Sequence, residues 1–100
     1  MFKNCESLSS IILPNTIHTI GEDSFGYCLQ LSTIDIPYNL SCIEHEAFSD
    51  CNNLTTTFDN VKYIGNYAFN NCYKLIPSDK MYQLSTINTF RNCKLFYTKY

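Results

Sequence analysis

The chain has 100 residues, 45% hydrophobic and 16% charged, with a formal charge of −2. That is enough apolar material for one soluble core, without the cationic excess that holds nucleic acid. Three glycines and three prolines exclude a disordered linker, and the longest aliphatic run, Ile11-Ile12-Leu13, is far short of a membrane span or the apolar part of a signal peptide.

Phe2 and Cys5 open a pattern that recurs along the whole chain. Phenylalanine stands at 2, 25, 48, 69 and 90, and a cysteine follows each by three residues, at 5, 28, 51, 72 and 93. The spacings are 23, 23, 21 and 21. A leucine follows each of the first four cysteines by three, at Leu8, Leu31, Leu54 and Leu75, and Phe96 takes the fifth place. Self-similarity at this period marks an array in which each unit buries its apolar face against its neighbours.

In copy one, Leu8 leads into Ile11-Ile12-Leu13-Pro14, and in copy two Leu31 leads into Ile34-Asp35-Ile36-Pro37. Both read as short strands stopped by proline. Apolar pairs three apart follow: Ile17 and Ile20, Leu40 and Ile43, Val61 and Ile64, Leu84 and Ile87. Gly21 and Gly65 come next and read as tight corners. The polar stretches Glu22-Asp23 and Glu44-His45-Glu46, with a small residue before Phe25 and Phe48, suit a short helical or 3-10 turn. Copy three is two residues short between Leu54 and Val61, within its strand. Copy four is short between Ile87 and Phe90 and carries Ser78 and Lys80 where copy two has Ile34 and Ile36. It reads as the weakest rung, expected to fray first.

The pattern Cys-x-x-Leu-x-x-Ile-x-Ile-Pro followed by Leu-x-x-Ile-Gly-x-x-Ala-Phe resembles the BspA-like leucine-rich repeats across nearly the whole chain. The resemblance implies a right-handed, curved leucine-rich-repeat solenoid with one parallel strand per repeat on the concave face. On this reading residues 1–100 are a single repeat domain of about four and a half repeats, starting near Phe2, Phe25, Phe48 and Phe69, with a partial repeat from Phe90. It further implies an adhesin-like cell-surface or secreted setting, in which such repeats bind host or neighbouring proteins.

Six cysteines could make a disulfide framework or a metal site, but there is no Cys-x-x-Cys, and His18 and His45 lie outside zinc spacing. Five of the six share one phase and are expected to stack as a buried column of small apolar side chains. Cys42, out of phase, is the expected reactive thiol. Cys42 and His45 are three apart and could pair as a thiolate nucleophile, but no third orienting group stands out, and the bland reading is two surface residues flanking Ile43. Gly21, Gly26 and Gly65 form no phosphate-binding loop, and nothing points to a cofactor. The sequons Asn39-Leu40-Ser41 and Asn53-Leu54-Thr55 are no more than this composition produces by chance.

Strand alternation turns Leu8, Ile11 and Leu13 inward and leaves an outward face of Ser10, Ile12, Thr33, Asp35 and Thr56, with Pro77 and Asp79 in copy four. Tyr38 and Tyr82 share the phase just after the strand, and tyrosine is enriched where proteins meet. This neutral to acidic face fits a protein ligand better than a phosphate-rich one, so the expected function is a non-enzymatic protein-interaction scaffold. The alternative is a purely structural spacer within a longer repeat protein. Phe2, Leu8, Phe96 and Tyr97 leave apolar residues at the ends of the array, so the chain is expected to be part of a longer array or to pair end to end.

Overall fold

A computed structural model describes residues 2–86 and 88–94; Ile87, Phe96 and Tyr97, named above, lie outside them. Its elements are β1 (Ser10–Ile12), β2 (Thr19–Ile20), β3 (Thr33–Asp35), β4 (Cys42–Ile43), β5 (Tyr63–Ile64) and α1 (Asp79–Gln83). The strands form two small parallel sheets, β1-β3 and β2-β4-β5. Register follows the repeat: Ser10 pairs with Thr33 and Ile12 with Asp35, while Ile20, Ile43 and Ile64 align across the second sheet.

The second sheet departs from the one strand per repeat that the family pattern implies. Its signal lies in the apolar pairs themselves. The second member of each pair, Ile20, Ile43 or Ile64, points into the core, and the residue before it, Thr19, Cys42 or Tyr63, faces outward in one row. Two residues are enough for a strand here because the neighbouring rungs already hold the backbone in register.

A third, turn-like wall carries the most continuous stacking. Phe2, Phe25, Phe48, Phe69 and Phe90 lie face to face, with centroids 5.3, 5.2, 5.3 and 5.7 Å apart and ring planes within 12°. Such pairs contribute roughly 0.5–1.5 kcal/mol each beyond the area they bury. Backbone bonds tie the same rungs together: Phe2 N–H donates to Ser24 O at 2.7 Å, Phe25 to Ala47 O at 2.8 Å, Phe48 to Ala68 O at 2.8 Å and Phe69 to Thr89 O at 2.9 Å.

The segment before each phenylalanine is not the expected helical or 3-10 turn. Its chain bends through left-handed residues two before the ring, at Asp23, Glu46, Tyr67 and Asn88, and two after it, at Asn4, Tyr27, Asp50, Asn71 and Asn92. Asn and Asp accept this conformation readily because their side chains bond locally. Tyr27 and Glu46 are held there by rung-to-rung bonds, Tyr27 N–H to Ser49 O at 2.9 Å and Glu46 N–H to Asn66 O at 3.0 Å. No glycine has a positive φ, so Gly21 and Gly65 do not serve as left-handed corners. Gly65 serves close approach instead, since a Cβ there would lie 2.6 Å from the backbone nitrogen of His45.

The shortened strand of copy three and the altered strand sequence of copy four leave visible marks. Copy three forms no strand opposite β3; the N–H of Ile34 donates instead to the hydroxyl of Thr56 at 3.0 Å. Its two missing residues are offset by one large side chain: Phe58 is buried, tilted between Phe48 and Phe69 at 5.3 and 5.6 Å. Copy four replaces the strand with α1. Ser78 caps it, accepting from Met81 N–H, and Asp79 occupies its first turn where the helix dipole favours an acid. Pro77-Ser78-Asp79 is a helix-start signal that outweighs the strand expected from the repeat phase. Met81, fully buried, brings its sulfur to the N–H of Phe58 at 3.4 Å. At both irregular copies a side-chain atom supplies the acceptor that a regular strand would have provided.

Candidate interaction surface

The expected outward residues fall into two groups. Ser10, Ile12, Thr33 and Asp35 stand exposed on β1 and β3, set side by side by the parallel register, with Ile12 at 78% exposure. Tyr38, just past the strand in the Pro37–Leu40 turn, is 83% exposed. The remaining four lie elsewhere, and one of them, Pro77, just before α1, is buried. Thr56 is half-buried, its hydroxyl engaged by Ile34 N–H, because copy three is too short to run a strand past it. Asp79 is exposed but sits on α1 rather than on a strand. Tyr82, on the same helix, turns its ring edge onto Phe90 at 5.3 Å and packs against the core, so it does not share the position of Tyr38.

Tyr38 stands beside a notch that the sequence pattern did not announce. A cavity of about 330 Å³ is lined by Ile36, Pro37, Tyr38, Phe58, Asp59 and Val61, among others. It lies where shortened copy three runs past copy two. A smaller one of about 240 Å³ shares Tyr38 and Asn60 with it and is otherwise lined by Asn39, Ser41 and Lys62. Asp59 is oriented by a hydrogen bond from the Ser78 hydroxyl. A third, more apolar cavity of about 420 Å³ touches Phe2, Leu13, Ile17, Ile20 and Phe25 in copy one.

The cysteines divide as their phase implies, with a chemical refinement. Cys28, Cys51, Cys72 and Cys93 are buried and Cys5 half-buried, and all are free thiols. They are more than small apolar fillers. Each of the four buried thiols donates to the carbonyl of the phenylalanine one copy earlier: Cys28 to Phe2 at 3.0 Å, Cys51 to Phe25 at 2.9 Å, Cys72 to Phe48 at 3.1 Å and Cys93 to Phe69 at 3.3 Å. The column is thus a hydrogen-bonded seam as well as an apolar one. Burial pushes Cys51 and Cys93 up to about 12 and Cys72 well above its usual range, so these thiols stay protonated and unreactive.

Cys42 is out of the column and half-buried on β4, as its phase implies, but nothing activates it. Partial burial raises its thiol above the ordinary value, and the Glu44 carboxylate, which accepts its hydrogen bond at 3.4 Å, raises it further. The expectation that Cys42 is the reactive thiol is corrected to that extent: it is accessible without being acidified. The Cys42–His45 pair does not form, since the imidazole turns to the Tyr63 hydroxyl at 3.1 Å. Of the two sequons, Asn39 is exposed, while the Asn53 amide donates to Leu29 O at 3.0 Å. Among the described residues no three His, Cys, Asp or Glu side chains gather as a metal site, and no helix is long and apolar enough to cross a membrane.

The model of the BspA type leucine rich repeat region (6 copies) matches residues 1–100. No functionally curated protein matches the chain. Among solved structures it is similar to a leucine rich cell surface protein from Faecalibacterium prausnitzii A2-165, with 27% identity and a TM-score of 0.64, over 76% of this chain and 21% of that one. It is also similar to a leucine-rich repeat protein from Bacteroides ovatus ATCC 8483, with 28% identity and a TM-score of 0.65, over 77% of this chain and 23% of that one. The chain therefore spans about a fifth of the length of these two relatives. With the repeat motif, the stacked phenylalanines and the family model agreeing along the chain, the protein belongs to the BspA-type leucine-rich-repeat family.

Proposed function

We propose that the chain is a non-enzymatic protein-interaction region, a right-handed curved array whose strand face binds a protein ligand in an adhesin-like, cell-surface setting. The observation that carries this reading is the pair Ile12 and Tyr38. Two large side chains are held in water at 78% and 83% exposure, Ile12 on a strand paired rung to rung with β3 and Tyr38 in the hydrogen-bonded Pro37–Leu40 turn that follows β3. Exposed apolar residues on a rigid lattice are what a binding surface requires, because little conformational freedom remains to be lost on association. The cell-surface description of the Faecalibacterium relative supports the setting. The separation of Cys42 from His45 favours binding over thiol chemistry.

The test is binding of the purified chain to an array of purified cell-surface and extracellular-matrix proteins, with Ile12→Ser/Asp35→Lys/Tyr38→Ala as the comparison. All three positions are exposed, so thermal unfolding should stay within a few degrees of wild type while any specific binding falls by about tenfold or more. Absence of binding to every protein in the array would favour the spacer reading, and binding that survives the triple substitution would move the contact off the strand face.

A further inference from the structure

Charge is segregated along the array in a way that the net value of −2 conceals. Residues 1–50 carry seven acids and one lysine, whereas residues 51–100 carry two acids and six lysines or arginines. The stacking places much of this contrast on one surface, the edge formed by the turns that flank the phenylalanines. Glu22 and Asp23 lie just before Phe25, Glu46 and Asp50 either side of Phe48, Lys74 beyond Phe69, and Arg91 and Lys94 beyond Phe90. Register is fixed by the bonds Tyr27 N–H to Ser49 O, Asp50 N–H to Asn70 O and Asn71 N–H to Arg91 O. A side-chain ladder stiffens the same edge, Asn71 donating to Asp50 at 2.8 Å and Asn92 to Asn71 at 2.7 Å. The one ion pair between described residues is Lys3–Asp23 at 3.3 Å. Glu22, Glu46, Lys74, Arg91 and Lys94 thus take part in no ion pair among the described residues.

We infer that this turn edge is a self-association surface, on which a second copy of the chain docks side by side and antiparallel. Two-fold symmetry makes such a contact self-complementary, because each copy offers its acidic end to the other's basic end. With the axis passing between Phe48 and Phe69, Glu46 and Asp50 face Lys74 of the second copy, and Glu22 faces Arg91 and Lys94, Asp23 being already paired with Lys3. Tyr27 and Tyr73, 48% and 53% exposed, stand on the same edge and supply apolar contact among the charges. Parallel side-by-side docking would set acid against acid. Neither Ile12 nor Tyr38 takes part, so this edge and the strand face can be tested apart.

Sedimentation velocity of the 100-residue chain in about 20 mM and about 500 mM salt tests the contact, as the screening length shortens from roughly 20 Å to roughly 4 Å. The expected result is a dimer at low salt whose dissociation constant weakens by about tenfold or more at high salt. Lys74→Glu/Arg91→Glu/Lys94→Glu and, separately, Glu22→Lys/Glu46→Lys should each sediment as monomers, and an equimolar mixture of the two should form a one-to-one complex. A wild-type monomer at low salt, a dimer indifferent to salt, or variants that fail to pair when mixed would each overturn the inference. Growth beyond two copies with concentration would do so as well, in favour of head-to-tail docking.

Discussion

The turn wall and the strand wall of this molecule are built from the same repeats, yet one runs unbroken from Phe2 to Cys93 and the other is a regular ladder only between β1 and β3. The difference lies in where the repeats changed length and where they changed residue type. The span from phenylalanine to leucine is six residues in each of the first four copies, so rings, thiols and leucines meet their counterparts at every rung. Residues were lost outside that span: copy three lost its two on the strand wall, which absorbed the loss through Thr56 and Phe58, while copy four lost its two between Ile87 and Phe90 and its strand gave way to α1 because Pro77-Ser78-Asp79 starts a helix. Irregularity is tolerated where a side chain can replace a backbone acceptor. It is absent where stacked rings and a buried seam leave no room for adjustment.

If the turn wall carries most of the stability, the largest effect should come from its centre. Phe48→Ala removes a ring that meets Phe25, Phe58 and Phe69, and should cost about 3–5 kcal/mol in urea unfolding. That is a large part of the stability of an ordinary domain. A loss below about 1 kcal/mol would place the weight on the strand wall instead.

Equivalent glycines sharpen the comparison. A Cβ at Gly65 would lie 2.6 Å from His45 N and 2.9 Å from Glu44 C, both backbone atoms that cannot move alone. Gly65→Ala should therefore cost about 1–3 kcal/mol. At Gly21 the nearest obstacle is the Ser24 hydroxyl at 3.2 Å, a side-chain end free to rotate, so Gly21→Ala should stay within about 0.5 kcal/mol of wild type. Equal losses at the two sites would mean that rung spacing there is not controlled by His45.

The thiol seam makes a prediction in pH. Burial raises Cys72 well above its ordinary value of 9.0, so between those two values the folded chain keeps a proton that the unfolded chain has released. The unfolded state then binds fewer protons, and stability falls as pH rises. The contribution of this thiol is fully present below about pH 9 and fades above it, by roughly 1.4 kcal/mol per pH unit. Cys72→Ala should flatten the alkaline limb of the stability curve by about that slope. Identical limbs would show the thiol to be exposed or already ionised.

The smallest effect is expected on the strand wall. Thr56→Val keeps the shape and removes the acceptor for Ile34 N–H, for a loss of about 1 kcal/mol. Hydrogen exchange should show Ile34 as the amide most affected. Unchanged protection there would mean that water replaces the hydroxyl at no cost.

The repeat period and the five-cysteine phase were legible because they recur at fixed spacing, and recurrence survives even when single residues mislead. The outward placement of Ser10, Ile12, Thr33 and Asp35 was legible for the same reason, through strand alternation in the two regular copies. Thr56 was misplaced because phase counting assumes an unbroken rung and copy three is two residues short there, and Tyr82 because Pro77-Ser78-Asp79 starts a helix where the phase implies a strand. The second sheet was missed because a two-residue strand has too few positions for alternation to show.

Sequence alone determined that like side chains would meet from copy to copy, since the order of Phe, Cys and Leu at constant separation already implies one buried line for each. Only the tertiary structure decided what those lines do with their polar atoms: that each buried thiol reaches the preceding phenylalanine's carbonyl, that a threonine and a methionine complete a broken ladder, and that His45 needs the space left by Gly65. The reason is physical. Apolar packing depends on size and spacing, which sequence displays, whereas hydrogen bonds depend on direction at a scale of tenths of an ångström, which is set only when neighbouring rungs are in place.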